Sequence, residues 1–126
     1  MTCDMHKIIW LLVILLIGIF ANSCATTQSR YTLLGQSYPS RSEDCKIDVF
    51  KTGSPDKKFI KISRLDVHLE KTHFIGSNFE DALPELKKQA CKSGADAIID
   101  VQEKSSMVGE TKMYHVTATG IKYTEP

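Results

Sequence analysis

The side chains best suited to chemistry are four cysteines and a scattered group of imidazoles and carboxylates. Thiols can carry acyl chains, pair as disulfides or bind metals. Asp66, His68 and Glu70 alternate along one stretch, so an extended backbone would project all three to one side, with His73 just beyond and His115 further along the chain. Groups of these types can hold a divalent cation. No CxxC or HExxH spacing accompanies them, however, and alternating charged residues are the ordinary solvent face of a strand, so no metal is expected. No Gly-rich phosphate loop and no GxSxG occurs, and Ser, His and Asp show no spacing that would set a nucleophile beside its base. We therefore expect no catalytic residue, no cofactor and no enzyme activity.

Composition narrows the partners. With 126 residues there is room for one domain. A hydrophobic fraction of 42% and a charged fraction of 25% are ordinary for a globular protein. Sixteen Lys and Arg against fifteen Asp and Glu give a net charge of +1, which supplies no basic field for nucleic acid.

The apolar content is concentrated at the start. Met1 to Lys7 carries a lysine, and Ile8 to Ala21 then runs without a charge. A bilayer-spanning helix needs about 20 apolar residues, so this shorter run fits the apolar core of an export signal better than a stable span. It ends in Ala21-Asn22-Ser23-Cys24, which resembles a lipobox, the pattern that the lipoprotein signal peptidase reads before an obligatory cysteine. Residues 1–23 are thus expected to be a cleaved signal peptide and Cys24 the lipidation site. An uncleaved short anchor and simple secretion are the alternatives. Each buried CH₂ of an acyl chain contributes about 0.8 kcal/mol, so two or three chains would anchor the protein without a membrane helix. Ala25 stands where, in enterobacterial lipoproteins, an aspartate would retain the protein at the inner membrane. The expected location is therefore the cell envelope, lipid-anchored and facing the periplasm from the outer membrane.

After Cys24 the pattern changes twice. Residues 24–44 are rich in Ser and Thr with no sustained period, and read as a tether that would hold the domain a few tens of ångströms from the membrane. Residues 45–126 read as the folded domain. Cys45, Ile47 and Val49 alternate as in a strand, and a turn signal follows at Thr52 to Asp56. Lys58 to Glu70 reads as a long strand whose apolar set changes phase between Ile62 and Leu65, which calls for a bulge near Ser63-Arg64. Phe79 to Ser93 has helical spacing, with Asn78 or Asp81 as candidate caps, Gly94 as the stop and Pro84 as a source of distortion in the first turn. Ala95 to Gln102 and Lys112 to Tyr123 read as two more strands joined by a long polar loop around Ser105 to Glu110. The expected fold is α+β: an antiparallel sheet of about four strands, in the order β-β-α-β-β, packed against one helix.

Several of these pieces resemble the RcsF/YbjQ-like family. The resemblance rests on Val49-Phe50 before a Pro-containing turn, Phe59 to Val67, Ala82 to Ala90, Lys92-Ser93-Gly94-Ala95-Asp96-Ala97-Ile98-Ile99 and Thr119-Gly120-Ile121. It covers roughly Cys45 to Tyr123. It implies an envelope-stress sensor or a metal-binding domain as alternatives to the simpler expectation, a non-catalytic binding or structural domain on a lipid anchor. That domain would meet the membrane and other envelope proteins.

With Cys24 assigned to lipid, Cys45 and Cys91 form an even pair in an oxidising compartment, where disulfides persist. A bridge between them would close a loop of about 46 residues and contribute about 3–4 kcal/mol. Two separately buried thiols, and a redox-sensing pair, are the alternatives.

Overall fold

The computed structural model describes residues 8–10, 13, 26–72 and 77–125. Its centre is a long antiparallel pair, β3 (Phe59–Thr72) and β5 (Thr111–Tyr123), in register from Phe59 opposite Tyr123 to Thr72 opposite Thr111. The phase change in β3 is resolved by a register shift between Lys61 and Ser63 that leaves Ile62 as the extra residue, one position before the expected bulge. Ile62, Leu65, Val67 and Leu69 are consequently all buried in one core.

β4 (Ala97–Val108) pairs antiparallel with β5, β1 (Thr26–Leu33) antiparallel with β3, and β2 (Asp48–Val49) parallel with β4. The sheet is thus five-stranded and mixed, in the order β1-β3-β5-β4-β2. The coarse α+β class holds, with three corrections to the expected sheet. β1 comes from the stretch read as a tether, where every residue but the half-buried Ser29 is exposed, so no buried face left a period to read. The expected strand over Cys45 to Val49 shrinks to two residues and runs parallel to its neighbour. The expected loop around Ser105 to Glu110 is strand almost throughout. Only Gly109 and Glu110 lie between β4 and β5, and Gly109 takes the positive φ of +60° at the turn. Strands whose two faces both meet water carry no apolar alternation, which is why this hairpin reads as a loop in sequence.

The helix α1 (Phe79–Ser93) covers one face of the sheet. Both candidate caps act together: Asp81 N donates to Asn78 Oδ1 at 3.1 Å, and Asn78 N donates to Asp81 Oδ2 at 3.0 Å. Pro84 lies inside the helix. The first turn is tightened, with the Asp81 and Ala82 amides both reaching the Asn78 carbonyl. At the other end Gly94 adopts φ +84°, its amide meets the Cys91 carbonyl, and the Ala95 amide meets the Ala90 carbonyl, a Schellman closure. Phe79, Ala82, Leu86 and Ala90 bury against Leu65, Val67, Leu69, Tyr114, Val116 and Ala118. On the other face, a smaller cluster of Ala97, Ile99 and Ile121 is covered by Phe50, Phe59 and Tyr123. Both clusters leave the distal part of the β4–β5 hairpin uncovered.

Candidate functional site

Two places concentrate the polar and reactive side chains. At the C-terminal end of α1, the chain between β1 and β2 is fastened by three kinds of contact. Cys45 and Cys91 are joined by a disulfide, with their Cα atoms 5.9 Å apart. Arg41 N donates to the Cys91 carbonyl at 2.8 Å, while Arg41 Nη1 donates to the Ala95 carbonyl at 2.8 Å and to Asp96 Oδ1 at 3.3 Å. Tyr38 and Pro39 press on Gly94 so closely that a Cβ there would lie 2.8 Å from the Pro39 carbonyl oxygen. Arg41 thus supplies donors to the carbonyls of Cys91 and Ala95 at the helix terminus, while the bridge ties Cys91 covalently to the preceding segment.

Asp96 links this end of the helix to the sheet. Its Oδ2 accepts from Tyr123 N at 2.9 Å, and its own amide donates to the Ile121 carbonyl at 2.7 Å. Tyr123 in turn donates its hydroxyl to Asp48 Oδ2 at 3.0 Å, and burial, reinforced by that bond, pushes its phenol up to about 12. Tyr114 is raised as well, first by burial and then by its hydrogen bond to Glu103. Gly120 permits a second close approach: Ser63 Oγ stands where its Cβ would be, and bonds Ser93 Oγ at 2.8 Å, which donates to the Ala90 carbonyl. Sequence reasoning found Gly94 and the cysteines here but missed Arg41, Asp96 and the Ser63–Ser93 pair. An aspartate inside the otherwise apolar Ala95 to Ile99 was the one available signal.

The second place is the helix-free face of the sheet. Asp66, His68 and Glu70 do share a side of β3, and His115 of β5 stands directly opposite His68. The two imidazole rings meet edge to face, with centroids 5.6 Å apart. His115 Nε2 lies 2.7 Å from Asp66 Oδ1, His68 Nε2 lies 3.0 Å from Glu70 Oε1, and Arg30 of β1 reaches Asp66 at 3.5 Å. Each carboxylate is therefore spoken for by a neighbouring cation or imidazole. Among the described residues no three His, Cys, Asp or Glu side chains converge as a metal site, and His73 lies outside them. The arrangement is a row of paired polar side chains across the surface of β1, β3 and β5.

Cys24, the candidate lipidation site, lies outside the described residues, and β1 begins two residues after it. Among the described residues, no helix is long and apolar enough to cross a membrane.

No known family matches the chain, and no curated protein matches it either. Among solved structures it is similar to a Francisella virulence factor, FvfA, with 16% identity and a TM-score of 0.52, over 75% of this chain and 97% of that one. At that identity the likeness is one of fold alone.

Proposed function

We propose that this chain is a cell-envelope lipoprotein, cleaved before Cys24 and acylated on it, whose domain is a non-catalytic binding or structural element facing the periplasm from the outer membrane. The observation that carries the reading is the uncharged Ile8 to Ala21 run ending in Ala21-Asn22-Ser23-Cys24. Too short to span comfortably, the run exports the chain and hands the task of anchoring to a thiol. The Cys45–Cys91 bridge supports the same compartment, because such bonds persist outside the cytoplasm. The paired polar side chains on the helix-free face suit a polar protein partner in the envelope.

Intact mass spectrometry of membrane-extracted protein tests this reading. The expected species begins at Cys24 and carries acyl chains and one internal disulfide. A polypeptide that starts at Met1 without fatty acid would overturn it.

An envelope-stress sensor is the second reading. What favours it is that the bridge couples α1 to the segment leading from the anchor, so breaking it would be felt in the helix. Deletion of the gene would then blunt a stress reporter. An unchanged reporter would remove the sensor reading and leave the lipoprotein one.

A further inference from the structure

The start of β1, two positions after Cys24 in sequence, and the tip of the β4–β5 hairpin belong to the same end of the sheet. Thr26, the first residue of β1, is opposite Glu70 of β3, Glu70 is opposite Met113 of β5, and Met113 is opposite Ser106 of β4. The hairpin extends past that row through Met107, Val108 and the Gly109-Glu110 turn. Thr26 follows Cys24 by two positions, a reach of at most about 7 Å. Val108 lies two residues beyond the same row, also about 7 Å along its strand. A lipid on Cys24 therefore holds this end of the domain against the bilayer at the height of the tip. The stretch read as a tether does not keep it away, because β1 begins at Thr26.

The tip is built for that position. Val108 and Met107 are exposed at 64% and 54%, and, as neighbours on a strand, they point to opposite faces. Each side carries one exposed apolar residue near the extremity, Met107 beside Lys112 and Val108 beside Thr111, and neither Met107 nor Val108 contributes to a core cluster. Half-buried Lys112 stands directly opposite Met107, and exposed Lys104 lies further from the tip, both placed to meet anionic headgroups, with Glu110 at the turn.

Resting on the lipoprotein reading above, we infer that the β4–β5 hairpin tip is a second membrane contact, inserting Met107 and Val108 into the interfacial layer of the bilayer to which Cys24 is anchored. One acyl attachment alone lets a domain swivel. A second contact about three strands away, some 14 Å across the sheet, fixes its tilt and presents the helix-free face at a set angle.

Tryptophan fluorescence tests this directly, because the sole tryptophan, Trp10, precedes Cys24 and is absent from the processed chain. Val108→Trp and Thr124→Trp are each introduced into the full chain and expressed in cells that process it. The acylated proteins are placed in vesicles of phosphatidylethanolamine and phosphatidylglycerol with brominated acyl chains. Thr124 follows β5 at the far end, about 40 Å from Thr111. Val108→Trp should show a blue-shifted spectrum and a several-fold loss of emission to the bromines, and Thr124→Trp neither. Both positions replace exposed residues, and matching circular dichroism verifies that the fold is kept. If mass spectrometry shows acylation and Val108→Trp is no more quenched than Thr124→Trp, the inference is overturned and the lipoprotein reading stands. If the chain is not acylated, that reading falls and takes this inference with it.

Discussion

The two ends of β4 are built on opposite terms. At its start, Ala97 to Ile99 are buried between two core clusters, and the preceding turn is held by a disulfide, an arginine and two close backbone approaches. At its end, Glu103 to Val108 are exposed and are held chiefly by the ladder to β5. Both are strand in the same sheet. The difference teaches that a strand's length is set by its ladder, while its stability is set by what covers it. The first end is where the fold is secured, and the second is a surface projected beyond the core.

The largest expected effect is at the secured end. Cys45→Ala removes the bridge and should lower unfolding free energy by about 3–4 kcal/mol in denaturant titrations under oxidising conditions. A loss no greater than that of an exposed substitution would break the comparison. Gly120→Ala comes next, because its Cβ would collide with Ser63 Oγ. Forcing that hydroxyl aside should cost about 1–3 kcal/mol, and Ser63→Ala in the same chain should recover part of the loss. If the double variant is merely the sum of the two singles, the close approach is not the cause.

A pH effect sharpens the same contrast. The phenol of Tyr123 is pushed up to about 12, against an unfolded value of about 10. Its contribution to stability is whole below the unfolded value and lost as pH climbs towards 12. Phenolate absorbance at pH 11 should therefore be lower for folded than for unfolded protein, and Tyr123→Phe should narrow the gap. An equal absorbance would contradict the assignment. The smallest change in solution stability is expected at the projecting end, where Met107→Ser and Val108→Ser should each alter it by about 0.5 kcal/mol or less. A larger loss would mean that the tip belongs to the core.

How far the sequence reveals the molecule follows the same division. Leu65, Val67 and Leu69, the helix from Phe79 to Ser93 and its stop at Gly94 are readable because each buries a face against something, and burial imposes a period. β1 and the outer hairpin are not, since residues wet on both sides are free of that constraint. Parallel pairing of β2 is hidden for another reason. Two residues carry no pattern, and their direction is imposed by the Cys45 bridge and the Arg41 contacts upstream. Asp66, His68 and Glu70 are correctly brought to one face by alternation, yet the place of His115 opposite His68 and its pairing with Asp66 depend on a register between distant strands that no local spacing encodes.

Hydrogen exchange on the acylated chain, free in detergent and bound to vesicles, bears most directly on this division. The account predicts slow exchange in both states for the buried amides of Leu65 to Leu69 and Ala97 to Ile99, and fast exchange in detergent for Met107 to Thr111 that slows on vesicles. Amides at the hairpin tip that exchange at the same rate with and without a bilayer, or a bridged end that exchanges as fast as the tip, would contradict it.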